Sequence, residues 1–299
     1  MEVLQVKAID KIYGKKETAV HALKNVSFSV SQGAFIAIVG SSGSGKSTLL
    51  NLIGGLDVPT GGEIVIRNHN IASLTRKELT IFRRRNIGFV FQNYSLMPVL
   101  NVYDNVALPV TFDRGRHVDH AYLKNLLLEL GLWEKRKSYP SELSGGQQQR
   151  AALARALANK PAIILADEPT GNLDSRTAVE VIGLLKNSAR QYRQTILMVT
   201  HNEALAQTCD RILHIEDGVL LTAGNARMAR GDKAVRETAD ETARGQERSE
   251  SEGSKAIQEM IDETPHTRKR SESECAKIVR EKADETPHGQ ERSEGRCTI

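Results

Sequence analysis

Residues 35–50 read FIAIVGSSGSGKSTLL, and this stretch decides the fold. Its first five residues, Phe35–Val39, form an apolar run with β-branched side chains, which predicts a buried strand. The loop from Gly40 to Ser47 fits the pattern G-x-x-x-x-G-K-[ST], and the apolar residues that follow it predict a helix. A strand, a glycine-rich loop and a helix in this order predict a phosphate-binding loop (P-loop).

Each residue type in this loop has a chemical task. Gly40, Gly43 and Gly45 allow the loop to curl so that backbone N–H groups point at phosphate oxygens, and the helix adds its positive dipole end. Lys46 supplies a cation for the β- and γ-phosphates, and the Ser47 hydroxyl can ligate Mg²⁺. A glycine-rich turn with a chance lysine would look similar, but both flanks favour phosphate binding. The loop alone does not identify the nucleotide.

The composition is that of an ordinary soluble protein. The chain has 299 residues, of which 39% are hydrophobic and 26% charged, and the formal net charge of +4 is too weak to argue for nucleic acid. No apolar run approaches the roughly 18 residues of a membrane span, and the N-terminus is charged where a signal peptide is apolar. The three cysteines lack metal-ligand spacing, so we predict free thiols in a cytosolic chain.

Strands that alternate with helices predict an α/β fold around a mostly parallel sheet. Between residues 93 and 158 the apolar residues recur at helical spacing, which predicts a helical subdomain inserted between strands. Asp217-Gly218 lies between two short apolar runs and predicts a hairpin. Further strands are predicted at Val26–Val30, Glu63–Arg67, Ile87–Phe91, Ala162–Ala166 and Thr195–Val199, and helices at Leu74–Arg85, Gln147–Ala158 and Ala178–Tyr192.

Four of the apolar strands end in groups suited to phosphoryl chemistry. They end in the P-loop, Gln92, Asp167-Glu168 and His201. Because the carboxyl ends of parallel strands lie on one edge of a sheet and ligands bind there, we expect these groups to converge on one site.

Each of these polar groups also has an ordinary structural explanation. Asp167 can hold the hydrated Mg²⁺ and Glu168 can orient or deprotonate the attacking water, although both could be a solvated strand end. Gln92 can reach Mg²⁺ or the water, or can simply end a strand. His201 can hydrogen-bond the γ-phosphate, but a histidine after a strand is more often a helix N-cap or a surface group.

A second glycine-rich helix start lies at residues 143–150, LSGGQQQR. Ser144, Gly145 and Gly146 precede the helix that begins near Gln147, and free N–H groups with a helix dipole form an anion site. An ordinary serine N-cap is the simpler interpretation. Since this site has no lysine of its own, it suggests a γ-phosphate completed by a second subunit.

Taken together, these segments resemble the nucleotide-binding domain of ABC ATPases. GSSGSGKST resembles its Walker A motif, FVFQ the Q-loop, LSGGQ the signature, IILADE Walker B, NLD the D-loop and VTH the H-switch. The resemblance covers about residues 2–226 and implies a P-loop NTPase fold with an N-terminal antiparallel β subdomain. The stretches FVFQNYSLMPVLNVYDNVALP and LADEPTGNLDS are most similar to the ATPases of macrolide export, lipoprotein release, antimicrobial-peptide efflux and cell division.

The resemblance implies that two chains enclose two ATP molecules head to tail, with Mg²⁺ as cofactor. Tyr13 would stack on adenine and Asp174 of the D-loop would cross the dimer interface. The implied catalytic residues are Lys46, Gln92, Glu168 and His201, and the implied metal ligands are Ser47, Gln92 and Asp167. The implied nucleotide contacts are Tyr13, Gly40, Ser41, Ser42, Gly43, Ser44, Gly45, Lys46, Ser47, Thr48, Ser144, Gly145, Gly146, Gln147 and Asp174.

The resemblance also implies a separate membrane permease whose coupling helix enters the groove near Gln92 and residues 93–106. The chain would then be an ATPase on the inner face of the cell membrane, powering export or extraction from the membrane. Two alternatives stay open: the same ATPase regulating a membrane cell-wall-remodelling complex, or a soluble ABC ATPase acting on DNA or ribosomes. A single Walker A motif and the lack of a long heptad run or cysteine cluster disfavour the last, so no nucleic acid is expected.

The sequence changes character near residue 229, which predicts a nucleotide-binding domain over 1–228 and a separate tail over 229–299. The tail has no aromatic residue, and ADETARGQERSE at 239–250 recurs as ADETPHGQERSE at 283–294. This composition predicts disorder. Two short helices that dock on a partner, Ser254–Glu263 and Glu274–Lys282, are the alternative.

Overall fold

The computed structural model describes residues 1–15, 18–113 and 117–221. This part contains the strands β1 (Glu2–Tyr13), β2 (Val20–Ser31), β3 (Phe35–Val39), β4 (Gly61–Ile66), β5 (His69–Asn70), β6 (Ile87–Phe91), β7 (Ile163–Asp167), β8 (Thr195–Val199), β9 (Arg211–Glu216) and β10 (Val219–Leu221). Its α-helices are α1 (Lys46–Ile53), α2 (Arg76–Asn86), α3 (Val102–Thr111), α4 (His120–Glu129), α5 (Gly145–Leu157), α6 (Ser175–Tyr192) and α7 (Glu203–Ala206).

A four-stranded antiparallel sheet, in the order β2-β1-β4-β5, is formed by the N-terminal strands. The long strand β1 pairs with β2 on one side and β4 on the other, with register shifts along both pairings. The predicted antiparallel β subdomain is therefore confirmed.

A second, six-stranded sheet has the strand order β10-β9-β3-β8-β7-β6. All its pairings are parallel except that of β9 with the edge strand β10. Asp167 at the end of β7 is level with Phe91 on β6 and with Val199 on β8, which in turn is level with Ile38 on β3. The predicted mostly parallel sheet is confirmed, and its carboxyl ends form one edge.

The central strands are apolar over most of their length, as expected for a sheet that is covered on both faces. Alternate residues of β7 enter different cores: Ile163 and Leu165 pack towards α1 and the N-terminal sheet, whereas Ile164 and Ala166 pack towards α3, α5 and α6. All four side chains are fully buried. The carboxyl edge of this sheet is therefore fixed between two well-packed layers.

Three helices, α3, α4 and α5, lie between β6 and β7 in the chain and share the second of these cores. They fall inside the helical subdomain predicted over residues 93–158. Their positions agree with an inserted helical layer, while its boundaries and the division at residue 228 stay predictions.

Capping side chains explain why several helices begin at positions other than those predicted from apolar spacing. Asp174 accepts from Thr177 N at 3.0 Å, so α6 begins at Ser175 rather than at Ala178. Thr75 forms a capping box with Glu78, so α2 begins at Arg76 rather than at Leu74. The caps Asp174 and Thr75 lie outside the apolar periodicity, so that periodicity does not locate these two helix starts.

The predictions for the tail, residues 229–299, and for the two cysteines within it lie outside the described residues. In the described ranges, no helix combines the length and the apolar character needed to cross a membrane.

Candidate functional site

The P-loop joins β3 to α1 in a backbone path that requires glycine at two positions. Gly40 and Gly45 have φ values of 154° and 101°. A Cβ atom at Gly40 would lie 2.0 Å from the carbonyl oxygen of Ile215, and one at Gly45 would lie 2.5 Å from that of Ala22. The curled loop is thus pressed against neighbouring strands on its outside, which leaves its inner side for a ligand.

Lys46 points its ammonium group back into this loop. Its Nζ atom donates to the carbonyl oxygens of Gly40 at 2.8 Å and Ser41 at 2.7 Å, and the residue is only 8% exposed. A buried cation held at the mouth of a helix N-terminus is suited to bind the phosphate chain of a nucleotide.

The β9–β10 hairpin supports the P-loop from one side. Gly218 N donates to the Ser44 carbonyl at 3.1 Å, while Lys24 N donates to the Gly218 carbonyl at 2.8 Å. The predicted Asp217-Gly218 turn is confirmed, but its support of the loop was not predicted. A cleft of about 450 Å³ beside the loop is lined by Val20, His21, Ala22, Lys24, Gly43, Gly45, Lys46, Ser47, Thr48, Asp217 and Gly218.

Ser47 and Asp167 meet although they are 120 positions apart in the chain. The Ser47 hydroxyl donates to Asp167 Oδ1 at 3.2 Å. Burial raises the pKa of Asp167 above its ordinary value and the neighbouring Glu168 adds to this effect, while the bond from Ser47 opposes it. A hydroxyl and a carboxylate that together face the P-loop are the oxygen donors that Mg²⁺ prefers, so these residues fit a magnesium site.

Glu168 and His201 form a second polar pair on the same edge. His201 Nδ1 lies 3.4 Å from Glu168 Oε1, and the imidazole is 69% exposed. Glu168 has a left-handed backbone with φ of 45°, fixed by a 3.0 Å bond from its N–H to the Val199 carbonyl. Because Asn202 caps α7, the interpretation of His201 as an N-cap is wrong.

Of the four predicted strand-end groups, Gln92 is the one whose strand lies farthest from β3 in the sheet. It follows β6, three strand spacings or roughly 14 Å from β3. Its side chain packs against the D-loop: a Cβ at Gly171 would lie 2.7 Å from Gln92 Nε2. Asn172 Nδ2 also donates to the Gln92 carbonyl at 3.0 Å. This link between the Q-loop and the D-loop had no signal in the sequence.

The signature turn, which we define as Ser144–Gly146, is partly open to solvent. Ser144 is exposed and caps α5, and it exchanges hydrogen bonds with Gln147 at 3.0 and 3.3 Å. Gly146 is buried against Thr177, whose Cγ2 would lie 2.4 Å from an added Cβ. The serine N-cap is therefore real. No hydrogen bond of the described residues joins this turn to the P-loop.

Tyr13 and Asp174 are both engaged within their own chain. The Tyr13 hydroxyl donates to Asp57 Oδ2 at 2.7 Å, and the Lys11 ammonium lies 4.6 Å from the centre of its ring. Tyr13 is 42% exposed, and because the Lys11 cation lies over one face of its ring, the other face would have to stack on a base. Asp174 is exposed, and the backbone N–H of Thr177 lowers the pKa of its carboxyl group.

A glycine-rich loop with a buried lysine, a serine-aspartate pair and an adjacent glutamate, all on the carboxyl edge of a parallel sheet, define a P-loop nucleoside triphosphatase. Comparison with known proteins narrows this class. The profile of the family described as "ABC transporter" matches residues 23–171. An uncharacterised ABC transporter ATP-binding protein of Methanocaldococcus jannaschii is 44% identical over 220 residues, which are 73% of this chain and 98% of that protein.

The chain therefore belongs to the ABC transporter family, in which it is an ATP-hydrolysing subunit. The bacitracin export ATP-binding protein BceA of Halalkalibacterium halodurans is 40% identical over 78% of this chain and 91% of its own length. The macrolide export ATP-binding/permease protein MacB of Mannheimia succiniciproducens is 44% identical over 74% of this chain, but only 34% of MacB is matched.

A solved structure has the same fold. It is a dimeric ATP-binding cassette in a post-hydrolysis state, bound to ADP and phosphate, with a TM-score of 0.67 and 42% identity over 73% of this chain and 97% of its own. The predicted family resemblance, fold class and ATPase activity are thus confirmed.

Proposed function

We propose that this chain forms a head-to-tail dimer around two ATP molecules and thereby powers a separate membrane permease of the export type. Two observations on relatives support this. BceA, of which the chain covers 91%, is named an ATP-binding protein for bacitracin export, and the matched cassette structure is dimeric. The peripheral location on the inner face of the membrane is part of the same proposal.

In this proposal the P-loop binds the phosphates of ATP. Its backbone N–H groups surround the phosphate chain, and Lys46 neutralises the charge of the β- and γ-phosphates. Ser47 and Asp167 would hold Mg²⁺, which lowers the negative charge at the phosphate when bound. Gln92 would reach the same region from β6. Tyr13 would stack on adenine through the ring face that Lys11 leaves open.

Glu168 is the proposed general base. Its carboxylate follows Asp167, the proposed metal ligand, directly in the chain, so it would lie beside the γ-phosphate and orient and deprotonate the attacking water. His201 lies 3.4 Å from that carboxylate and would hold it in place. The exposed imidazole would also reach the γ-phosphate.

The signature turn of one chain would complete the site of the other. Ser144 is exposed, and its hydroxyl caps the N–H of Gln147, which leaves the N–H groups of Gly145 and Gly146 as donors for an anion. Ser144–Gln147 would therefore bind the γ-phosphate held by the second copy. Asp174 would lie at the same interface.

The permease would dock on the helical layer. Val99 is 75% exposed and Met97 46% exposed, both in the groove region after Gln92. A neighbouring cleft of about 500 Å³ is lined by Asn101, Tyr103, His120, Ala121, Lys124, Trp133, Arg136 and Lys137. Its positive charge and its aromatic walls are suited to an amphipathic segment with acidic side chains.

The observation that carries the proposal is the 3.2 Å bond between Ser47 and Asp167, because it unites the phosphate loop with the strand that ends in Glu168. The test is Glu168→Gln. This variant should still bind ATP, form a stable ATP-dependent dimer and lose about 100-fold to 10,000-fold in ATP turnover.

Glu203→Gln is the matched control, since Glu203 is an exposed glutamate on α7 close in sequence to His201. Turnover and dimerisation should stay as in the parent. If Glu168→Gln hydrolysed ATP at the parent rate, Glu168 would not be the base. Co-purification of a membrane protein with the chain would support the permease, and co-purification of RNA or DNA would contradict it.

A further inference from the structure

The four residues that follow β6, Gln92–Ser95, have an unusual backbone. Tyr94 and Ser95 are consecutive non-glycine residues in the left-handed region, with φ values of 58° and 50°. Apart from glycine, which has no Cβ, and from asparagine and aspartate, residues rarely adopt this conformation. Two such residues in succession need support from their surroundings.

Arg155, on the helix that begins at the signature turn, provides that support. Its Nη2 atom donates to the Tyr94 carbonyl at 3.0 Å and its Nη1 atom donates to the Ser95 carbonyl at 2.5 Å. Burial lowers the pKa of Arg155, and none of the ion pairs of the described residues supplies it with a carboxylate. The guanidinium group is thus committed to two carbonyls of one strained segment.

The side chain of Tyr94 reaches the signature turn itself. A Cβ atom at Gly145 would lie 2.8 Å from the Tyr94 hydroxyl and 3.5 Å from Leu173 Cδ2. The Q-loop, the D-loop and the signature turn therefore meet at Gly145 within one chain. A shift of the signature turn towards Tyr94 would press Gly145 against the Tyr94 hydroxyl.

We propose that Tyr94 is a positioning residue for the signature turn and that Arg155 holds Tyr94 in its left-handed conformation. This inference rests on the proposed function, in which the signature turn binds the γ-phosphate held by a second copy. The segment after Gln92 would then control how the signature turn is positioned to bind that γ-phosphate. The P-loop takes no part in this contact, so ATP binding to a single chain does not depend on it.

The test uses the full-length Glu168→Gln protein as parent, because this variant should hydrolyse ATP too slowly for its ATP-bound dimer to dissociate during the measurement. Arg155→Met should leave the affinity of the monomer for ATP within about twofold and weaken ATP-dependent dimerisation about tenfold, because the carbonyls of Tyr94 and Ser95 lose the donor that holds them. Equilibrium dialysis with ATP and sedimentation velocity measure the two effects. Arg190→Met, at an exposed arginine of α6, is the control and should dimerise like the parent.

Tyr94→Asn distinguishes the effect of the ring from that of the backbone. Asparagine tolerates the left-handed conformation and keeps the backbone carbonyl that Arg155 binds, but it removes the ring. This variant should melt like the parent and still dimerise about tenfold less tightly. If both variants dimerise like the Glu168→Gln parent, the inference is wrong. If the parent itself forms no dimer with ATP, the proposed function fails, and the inference fails with it.

Discussion

At the scale of a single residue, Asp167 shows how a proposed metal ligand can oppose the stability of the fold. Its carboxylate is partly buried at a strand end beside Glu168, and burial raises its pKa. The folded protein therefore holds a proton on Asp167 more tightly than the unfolded chain does. As the pH rises from the ordinary value of 3.8 through the raised pKa, the folded state loses stability from this group, and above that range the loss is complete.

Asp167→Asn should therefore be more stable than the parent at neutral pH, without nucleotide or magnesium, while ATPase activity falls by roughly 100-fold. The asparagine oxygen can still accept the bond from Ser47. The gain in melting temperature should shrink as the pH is lowered towards 3.8. Thermal unfolding across this pH range measures it, and a gain that is independent of pH would contradict the assignment to the carboxylate.

Lys46→Ala should weaken ATP binding itself, by about 100-fold or more, because it removes the cation that we propose neutralises the phosphates. The measurement is ATP affinity of the isolated subunit. Lys24→Ala is the control, since Lys24 lines the same cleft but takes part in the loop contacts only through its backbone N–H. Equal affinities for the Lys46 variant and the parent would argue against the proposed role.

The residues of the site that sequence alone could place are those at strand ends. Parallel strands present their carboxyl ends on one edge of a sheet, and this rule predicts that Asp167 lies near Ser47. The 3.2 Å hydrogen bond between these two residues agrees with that prediction. No such rule predicts the contact of Tyr13 with Asp57 or that of Gln92 with Asn172. They join loops whose paths depend on tertiary packing, and no periodic pattern records that packing.

At the scale of elements, the β9–β10 hairpin has a task beyond closing the sheet. The N–H of Gly218, in the turn of this hairpin, donates to the carbonyl of Ser44 in the P-loop. The first strand of the hairpin, β9, pairs with β3, which leads into the P-loop. The sequence predicted the turn from Asp217-Gly218. It could not predict the bond to Ser44, because that bond depends on how strands β3 and β9 are placed side by side. Helix starts were missed for a related reason, since caps such as Asp174 lie outside the apolar pattern.

Gly218→Ala should destabilise the fold and reduce ATP affinity, because the new Cβ would lie 2.7 Å from the Ala22 carbonyl and φ is 79°. Gly33→Ala is a matched control: its φ is 82°, but nothing lies within 4 Å of the added atom. The control should lose about 1 kcal/mol for the left-handed backbone alone and keep its ATP affinity. Denaturant unfolding and ATP titration of both variants test this, and equal losses would contradict the proposed support of the P-loop.

At the scale of the whole described part of the chain, the carboxyl edge of the six-stranded sheet and a basic cleft in the helical layer are separate features. Lys124 lies 5.4 Å and Arg136 lies 4.4 Å from the centre of the Trp133 ring, so two cations flank one indole. This cleft is lined by α3, α4 and the turn after α4, and none of its lining residues belongs to the P-loop. A partner bound here could influence the site without touching the nucleotide.

Reversing two of these charges with Arg136→Glu and Lys137→Glu should leave the ATPase activity of the isolated subunit unchanged and abolish its association with a permease. Glu substitutions at Arg190 and Arg193, two exposed arginines at the end of α6, form the control. Co-purification from membranes measures the association. Full retention of the permease by the cleft variant would place the docking surface elsewhere.

Removal of residues 230–299 should leave ATP turnover intact, because every predicted site residue lies before position 202. The measurement is the ATPase rate of the truncated chain against that of the full chain. A large drop would show that the tail takes part in the reaction or in dimerisation.

The position of β3 also has a consequence for synthesis on the ribosome. Its two neighbours, β8 and β9, begin at Thr195 and Arg211, more than 150 residues after the strand itself. While the chain is being made, the segment FIAIV therefore waits without either partner, although it is among the most apolar stretches of the protein. An unpaired strand of this kind is prone to aggregate. We expect this part of the nascent polypeptide to be where a chaperone binds.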